Sequence, residues 1–229
     1  MNERLDAVVC VSGGLDSCVT LAEAIAVHEN VGALHLTYGQ LTEARERCAF
    51  DAICDHYEVE HRLIARQPAL AEIGDSALVD PEIPVPEQES GDEIPVTYVP
   101  FRNAQILSLA VAWAEAVGAR DVFLGAVEED SSGYPDCRES FFRAFEAAAD
   151  AGTRPETSIR VVTPVLHFDK ADIVRRGREL GAPLHLTWSC YQADIRPCGV
   201  CESCRLRAKG FSRAGVADPL LVESRDPDE

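Results

Sequence analysis

The sequence predicts an α/β fold: a doubly wound, mostly parallel sheet of five strands, Rossmann-like in its layering, with a metal-binding segment appended at its C-terminal end. Three observations carry that prediction. Short β-branched runs alternate with stretches of helical periodicity along most of the chain. The first such run ends on Ser12-Gly13-Gly14-Leu15-Asp16-Ser17, a glycine turn between strand and helix. Cys190, Cys198, Cys201 and Cys204 then crowd together after the last alternation.

Residues 6–11 are apolar and β-branched and predict a buried strand. Helical spacing from 15 to about 28 predicts a helix with Asp16 and Ser17 in its first turn. Residues 32–38 predict the second strand, 41–56 a helix and 60–64 the third strand. From 72 to 93 the pattern stops, with Pro81, Pro84 and Pro86, eight acidic residues and no basic one. A stretch of that length is either an active-site lid or a mobile insertion. Regularity returns at 102–117, where Ile106, Leu109, Ala110, Trp113 and Val117 form a helical stripe closed by Gly118 as C-cap. Residues 121–125 predict the fourth strand, 139–150 a helix and 159–163 the fifth strand. Residues 170–180 predict a helix stopped by Gly181 and Pro183. The expected division is a nucleotide-binding α/β domain over 1–184, with an acidic loop or lid at 72–97, then a zinc-binding segment at 185–213 and a flexible tail at 214–229.

Composition narrows the function classes. There are 39 acidic against 21 basic residues, a net charge of −18, and only Lys170 and Lys209 are lysines. Such a surface repels nucleic acid, so no direct nucleic-acid partner is expected. The acid is spread along the chain rather than blocked into a tail, which fits hydration of the surface in concentrated salt. No apolar run approaches the roughly 20 residues of a membrane helix, and the polar start does not read as a signal peptide. The expectation is a cytoplasmic protein without membrane contact. Nine cysteines in such a chain argue against a disulfide framework.

Two glycines in loop 12–17 permit a path on which successive N–H groups converge on an anion. The following helix N-terminus adds positive potential, and Ser12 and Ser17 add hydroxyl donors. The loop lacks the Lys-Ser/Thr ending of a Walker A motif and the spacing of a dinucleotide fingerprint. A plain Gly-Gly turn is the bland alternative. The spacing Cys190-x7-Cys198-x2-Cys201-x2-Cys204 suits one tetrahedral zinc ion per chain, with an iron–sulfur cluster or a redox dithiol as rivals. Cys10, Cys18, Cys48, Cys54 and Cys137 read singly as core residues. Three polar clusters remain. The first runs from Tyr98 through Arg102 to Asn103 at a helix start. The second, Ser132 to Arg138 with Tyr134, Asp136 and Cys137, follows a strand end. The third is Thr187-Trp188-Ser189-Cys190-Tyr191.

Loop 12–17 resembles the signature of the N-type ATP pyrophosphatases, the PP-loop enzymes. That resemblance implies ATP as co-substrate, Mg2+ near Asp16, and attack of an oxygen on the α-phosphate to give an adenylate. The implied ATP contacts are Cys10, Val11, Ser12, Gly13, Gly14, Leu15, Asp16, Ser17, Cys18, Val19 and Thr20, with Ser12, Asp16 and Ser17 as catalytic candidates. Taken with the three clusters and the cysteines, in order over most of the chain, the sequence resembles the 7-cyano-7-deazaguanine (preQ0) synthase family. The family implies that 7-carboxy-7-deazaguanine, ammonia and ATP give the nitrile, in archaeosine or queuosine biosynthesis, and a homodimer is expected. On that resemblance Asp136 accepts the N–H donors of the base, and Arg102 or Arg138 orients the substrate carboxylate. Tyr98, Tyr134 and Asn103 complete the substrate pocket. Another PP-loop ligase, a tRNA-modifying thiolase, and a non-catalytic zinc-knuckle module stay open as alternatives.

Overall fold

The computed structural model describes residues 4–87, 94–128 and 133–222. Ser132, residues 88–93 of the acidic stretch and residues 223–229 of the tail lie outside the described residues. In chain order the strands are β1 (Ala7–Cys10), β2 (Val31–Thr37), β3 (His61–Arg66), β4 (Asp121–Leu124) and β5 (Arg160–Val162). The helices are α1 (Leu15–Ile25), α2 (Glu43–His56), α3 (Ala69–Ile73), α4 (Arg102–Val117), α5 (Glu139–Gly152), α6 (Lys170–Glu179), α7 (Glu202–Arg213) and α8 (Pro219–Val222). All five strands run parallel in the order β3-β2-β1-β4-β5.

The central strand explains the double winding. Every residue of β1 is buried, so neither face can meet water. Val8 and Cys10 point to a core shared with Leu107 and Ala110 of α4 and Phe142 of α5. Ala7 and Val9 point the other way, to a core with Leu21 of α1 and Phe50 and Ile53 of α2. The two-residue period of a strand thus feeds two helix layers from one short run. The exposed ends of the sheet carry arginine: Arg66 ends β3 and Arg160 starts β5, which blunts both edges.

Because β1 lies between β2 and β4, the connections leaving β1 and β4 run to opposite sides of the sheet. That opens a crevice beyond their carboxyl ends, the place where open parallel sheets bind ligands.

Parts of the acidic stretch and of the tail are packed. Residues 76–80 are not a loose part of the acidic stretch: Ser76, Ala77, Leu78 and Val79 are buried, and the Leu41 N–H donates to the Leu78 carbonyl at 2.9 Å. Nor is the start of the tail loose. Asp218 is buried in a bidentate pair with Arg207 of α7, at 2.7 and 2.9 Å, and this pair docks α8. A charged sequence looked solvated, whereas one buried guanidinium was waiting for its carboxylate.

Candidate active site

The crevice is lined at one end by loop 12–17. Gly13 has φ +92°, and a Cβ there would come within 2.6 Å of the Glu46 carbonyl oxygen, so only glycine fits. The loop closes on its own serines. The Ser12 N–H donates to Ser17 Oγ at 3.2 Å, the two hydroxyls lie 3.1 Å apart, and the Gly14 N–H donates to Ser12 Oγ at 3.2 Å. Gly125, just past β4, faces it: a Cβ there would meet Thr20 Oγ1 at 2.8 Å and the Asp16 carbonyl oxygen at 2.9 Å.

Cys10, Val11, Ser12, Gly14, Leu15, Asp16 and Ser17 line the crevice. Gly13, Cys18, Val19 and Thr20 stand behind it, and Cys18, Val19 and Thr20 are wholly buried. Burial pushes the thiols of Cys10 and Cys18 up to about 12, so neither is a thiolate at neutral pH.

Lys170, the first residue of α6, reaches across to place Nζ 2.7 Å from Asp16 Oδ2. Sequence reasoning missed it, although a lysine in a chain with only two was itself a signal. Asp16 Oδ1 is buried and has no hydrogen-bond partner among the described residues. An unmet carboxylate oxygen beside a phosphate-type loop fits a hard cation such as Mg2+. Lys170 is held from behind by α7, where a Cβ on Gly210 would meet its Cβ at 2.7 Å.

The opposite end of the crevice is aromatic. Arg102 donates from Nη1 to the Tyr38 hydroxyl at 2.9 Å, and the ring of Tyr134 lies beside that of Tyr98, centroids 5.6 Å apart. The Tyr134 hydroxyl is 2.7 Å from that of Thr97, which is fully buried. Arg102, Asn103 and Tyr134 line the crevice together with Tyr38, Glu46, Trp188 and Tyr191.

The structure does not bring Tyr98, Asp136 or Arg138 to that lining. Tyr98 accepts from the Phe101 N–H at 2.9 Å, where Phe101 turns the chain with φ +57°. Arg138 is exposed at the start of α5. Asp136 is 3% exposed and accepts from the Asn103 N–H at 2.9 Å, while Asn103 Nδ2 donates to its carbonyl. Its carboxylate therefore caps the open first turn of α4 through Oδ2.

The four cysteines meet as their spacing implied. The sulfurs of Cys190, Cys198, Cys201 and Cys204 lie within 4.8 Å of one another, and those of Cys198 and Cys204 are 3.9 Å apart. A zinc tetrahedron with bonds of about 2.3 Å has edges of about 3.8 Å, so the set fits a metal. Backbone N–H groups of Cys198 and Cys201 point at the sulfurs of Cys190 and Cys198, at 3.4 and 3.3 Å. The segment also touches the loop directly: the Trp188 N–H donates to the Gly13 carbonyl at 2.9 Å, and Arg45 lies over the Trp188 ring.

The chain is similar to known proteins. The profile of the family described as "Queuosine biosynthesis protein QueC" matches residues 6–215. The chain is 51% identical over 224 residues to the 7-cyano-7-deazaguanine synthase of Chlorobaculum parvum, aligned over 96% of this chain and 98% of that protein. It is 50% identical over 220 residues to the protein of the same name from Chlorobaculum tepidum, over 96% and 97%. A solved 4-thiouridine synthetase–RNA complex with bound ATP superposes with a TM-score of 0.50 at 18% identity, over 95% of this chain and 48% of that one. That last likeness is one of fold.

Proposed function

The chain belongs to the QueC family of queuosine biosynthesis proteins, and from that premise we propose that it is a 7-cyano-7-deazaguanine synthase, an ATP-dependent ligase forming carbon–nitrogen bonds. It converts 7-carboxy-7-deazaguanine and ammonia to the nitrile. One observation carries the reading at the level of the site: a phosphate-type loop and an aromatic, arginine-bearing pocket share one crevice at the switch point of the sheet.

The loop N–H groups, Ser12, Ser17 and the α1 terminus hold the phosphates of ATP. Lys170 offsets their charge, and its bond to Asp16 keeps it aimed there. Asp16 Oδ1 would hold Mg2+, which when bound neutralises charge on the departing pyrophosphate. Arg102 orients the substrate carboxylate toward the α-phosphorus, and Tyr134 closes over the ring. Adenylation makes AMP the leaving group, ammonia displaces it to give the amide, and a second activation at the amide oxygen yields the nitrile. Cys190, Cys198, Cys201 and Cys204 would hold zinc with a closed coordination shell, which suits a structural role.

Ammonia taken free from solution, a homodimer, a cytoplasmic setting and no direct nucleic-acid contact belong to the same proposal. The net charge of −18 supports the last of these. No described helix is long and apolar enough to cross a membrane.

The test is mass-resolved product analysis with 7-carboxy-7-deazaguanine, ammonium, Mg2+ and ATP in high salt. The expected products are the nitrile, AMP and pyrophosphate. ADP and phosphate would overturn the adenylate route, and no consumption of the acid by folded, metal-loaded protein would overturn the assignment.

A further inference from the structure

Among the described residues, only two carboxylates line the crevice, Asp16 and Glu46. Asp16 stands at the phosphate end and is bound to Lys170. Glu46, from the first turn of α2, is different. Its partners are neutral: Gln40 Nε2 donates to Oε2 at 3.1 Å, and the Thr42 hydroxyl donates to Oε1 at 2.8 Å. The nearby Arg102 spends its short contact on the Tyr38 hydroxyl. Among the described residues each oxygen of Glu46 thus keeps a second lone pair, in a pocket walled beside Arg102 by Leu36, Leu78, Ile106 and the rings of Tyr38 and Tyr191.

Apolar and aromatic walls suit the faces of a planar heterocycle. They do not solvate a carboxylate as water does, and burial raises the Glu46 carboxyl above its ordinary range against the opposing pull of the Thr42 and Gln40 hydrogen bonds and of Arg102. What the pocket lacks is a pair of N–H donors in the plane of the carboxylate. A guanine-type base offers that pair, with its ring N1–H beside its exocyclic amine. Adenine does not: its exocyclic amine sits beside an acceptor nitrogen, whose lone pair a carboxylate repels. We propose that Glu46 reads the N1–H and 2-amino edge of the 7-deazaguanine substrate. This rests on the synthase reading above and gives Glu46 the task that the sequence had pointed to Asp136 for.

The test is steady-state kinetics of wild type and Glu46→Gln with 7-carboxy-7-deazaguanine and with its analogue lacking the 2-amino group. Wild type should prefer the natural acid by about 10- to 100-fold in kcat/KM, the discrimination a bidentate contact to a base edge provides. In Glu46→Gln that preference should collapse toward unity through KM for the acid, with KM for ATP unchanged and Glu46→Asp restoring part of it. An unchanged preference in Glu46→Gln would overturn the proposal. So would a rise confined to KM for ATP, or a rise confined to KM for ammonium. Should Glu46→Gln not fold, calorimetric binding to wild type still decides: equal affinity for the acid and its 2-deamino analogue would sink the idea. Wild-type turnover in the same assay tests the synthase reading separately.

Discussion

Glu46 and Asp136 are both carboxylates raised by burial, yet they do opposite work. Asp136 is spent on the backbone of α4, whereas Glu46 keeps capacity for a ligand. A carboxyl whose folded pKa lies above its unfolded value binds more protons when folded. Its stability cost is absent below the unfolded value and grows as pH rises through the window up to the folded one. Glu46→Gln should therefore raise the melting temperature of the ligand-free protein at neutral pH while lowering activity. That gain should shrink as pH falls through this window and be gone below about 4.5, the ordinary glutamate value. Melting curves across pH read this directly, and a variant less stable than wild type at pH 7 would contradict it. The loop residues Ser12, Gly13 and Ser17 were legible because their task is local: glycine sets the turn and serine donates. Glu46, Tyr38 and Lys170 were not, because each acquires its task from residues far away in the chain.

At the scale of elements, the helix starts decide where the site residues point. Helix α6 caps itself, with Asp169 accepting from the Asp172 N–H and Asp172 from the Asp169 N–H. Helix α4 has no side-chain cap of its own and borrows Asp136 from the turn Pro135–Cys137. Arg102 and Asn103 sit in the first turn that this bond secures. Asp136→Ala should thus cost about 0.5–2 kcal/mol of stability, the usual worth of a helix cap. It should also lower kcat/KM by the same factor for the acid and for its 2-deamino analogue. Denaturant titration together with kinetics checks both. A selective loss of the natural acid would return base reading to Asp136. Periodicity found each of the five strands and the longer flanking helices within a few residues. It missed α3, α7 and α8, since α3 and α8 are short and the buried stripe of α7 includes Arg207 and Gly210, which do not read as apolar period.

At the scale of the whole molecule, the C-terminal segment is a wall of the crevice as much as an appendage. Ser189, Cys190 and Tyr191 line the crevice, while Cys190 also belongs to the thiol set. Arg207 ties the segment together from inside, bonding Asp218, Thr187 and the Leu184 carbonyl. Removing the metal should therefore unmake one side of the pocket. Chelation is expected to lower the melting temperature by about 10 °C or more, as a loss of several kcal/mol does in a chain of this size. Turnover should fall in step, and zinc should restore both. Lost turnover with an unchanged melting curve would mean the metal acts in the crevice and not on the fold.

The parallel α/β architecture, the phosphate-type loop and the four-thiol set were determined by the sequence alone. Each depends on residues within a few positions of one another, where period and spacing dictate geometry. The tertiary structure alone decided which carboxylates line the crevice, where the Lys170 ammonium is placed, and which parts of the chain wall the crevice. Those answers depend on pairs such as Lys170 with Asp16 and Asn103 with Asp136, distant in the chain and brought together by a sheet in which β1 and β4 lie side by side. A one-dimensional pattern carries burial and turn chemistry, but the burial of a charge becomes useful or costly only through the neighbour that the fold supplies.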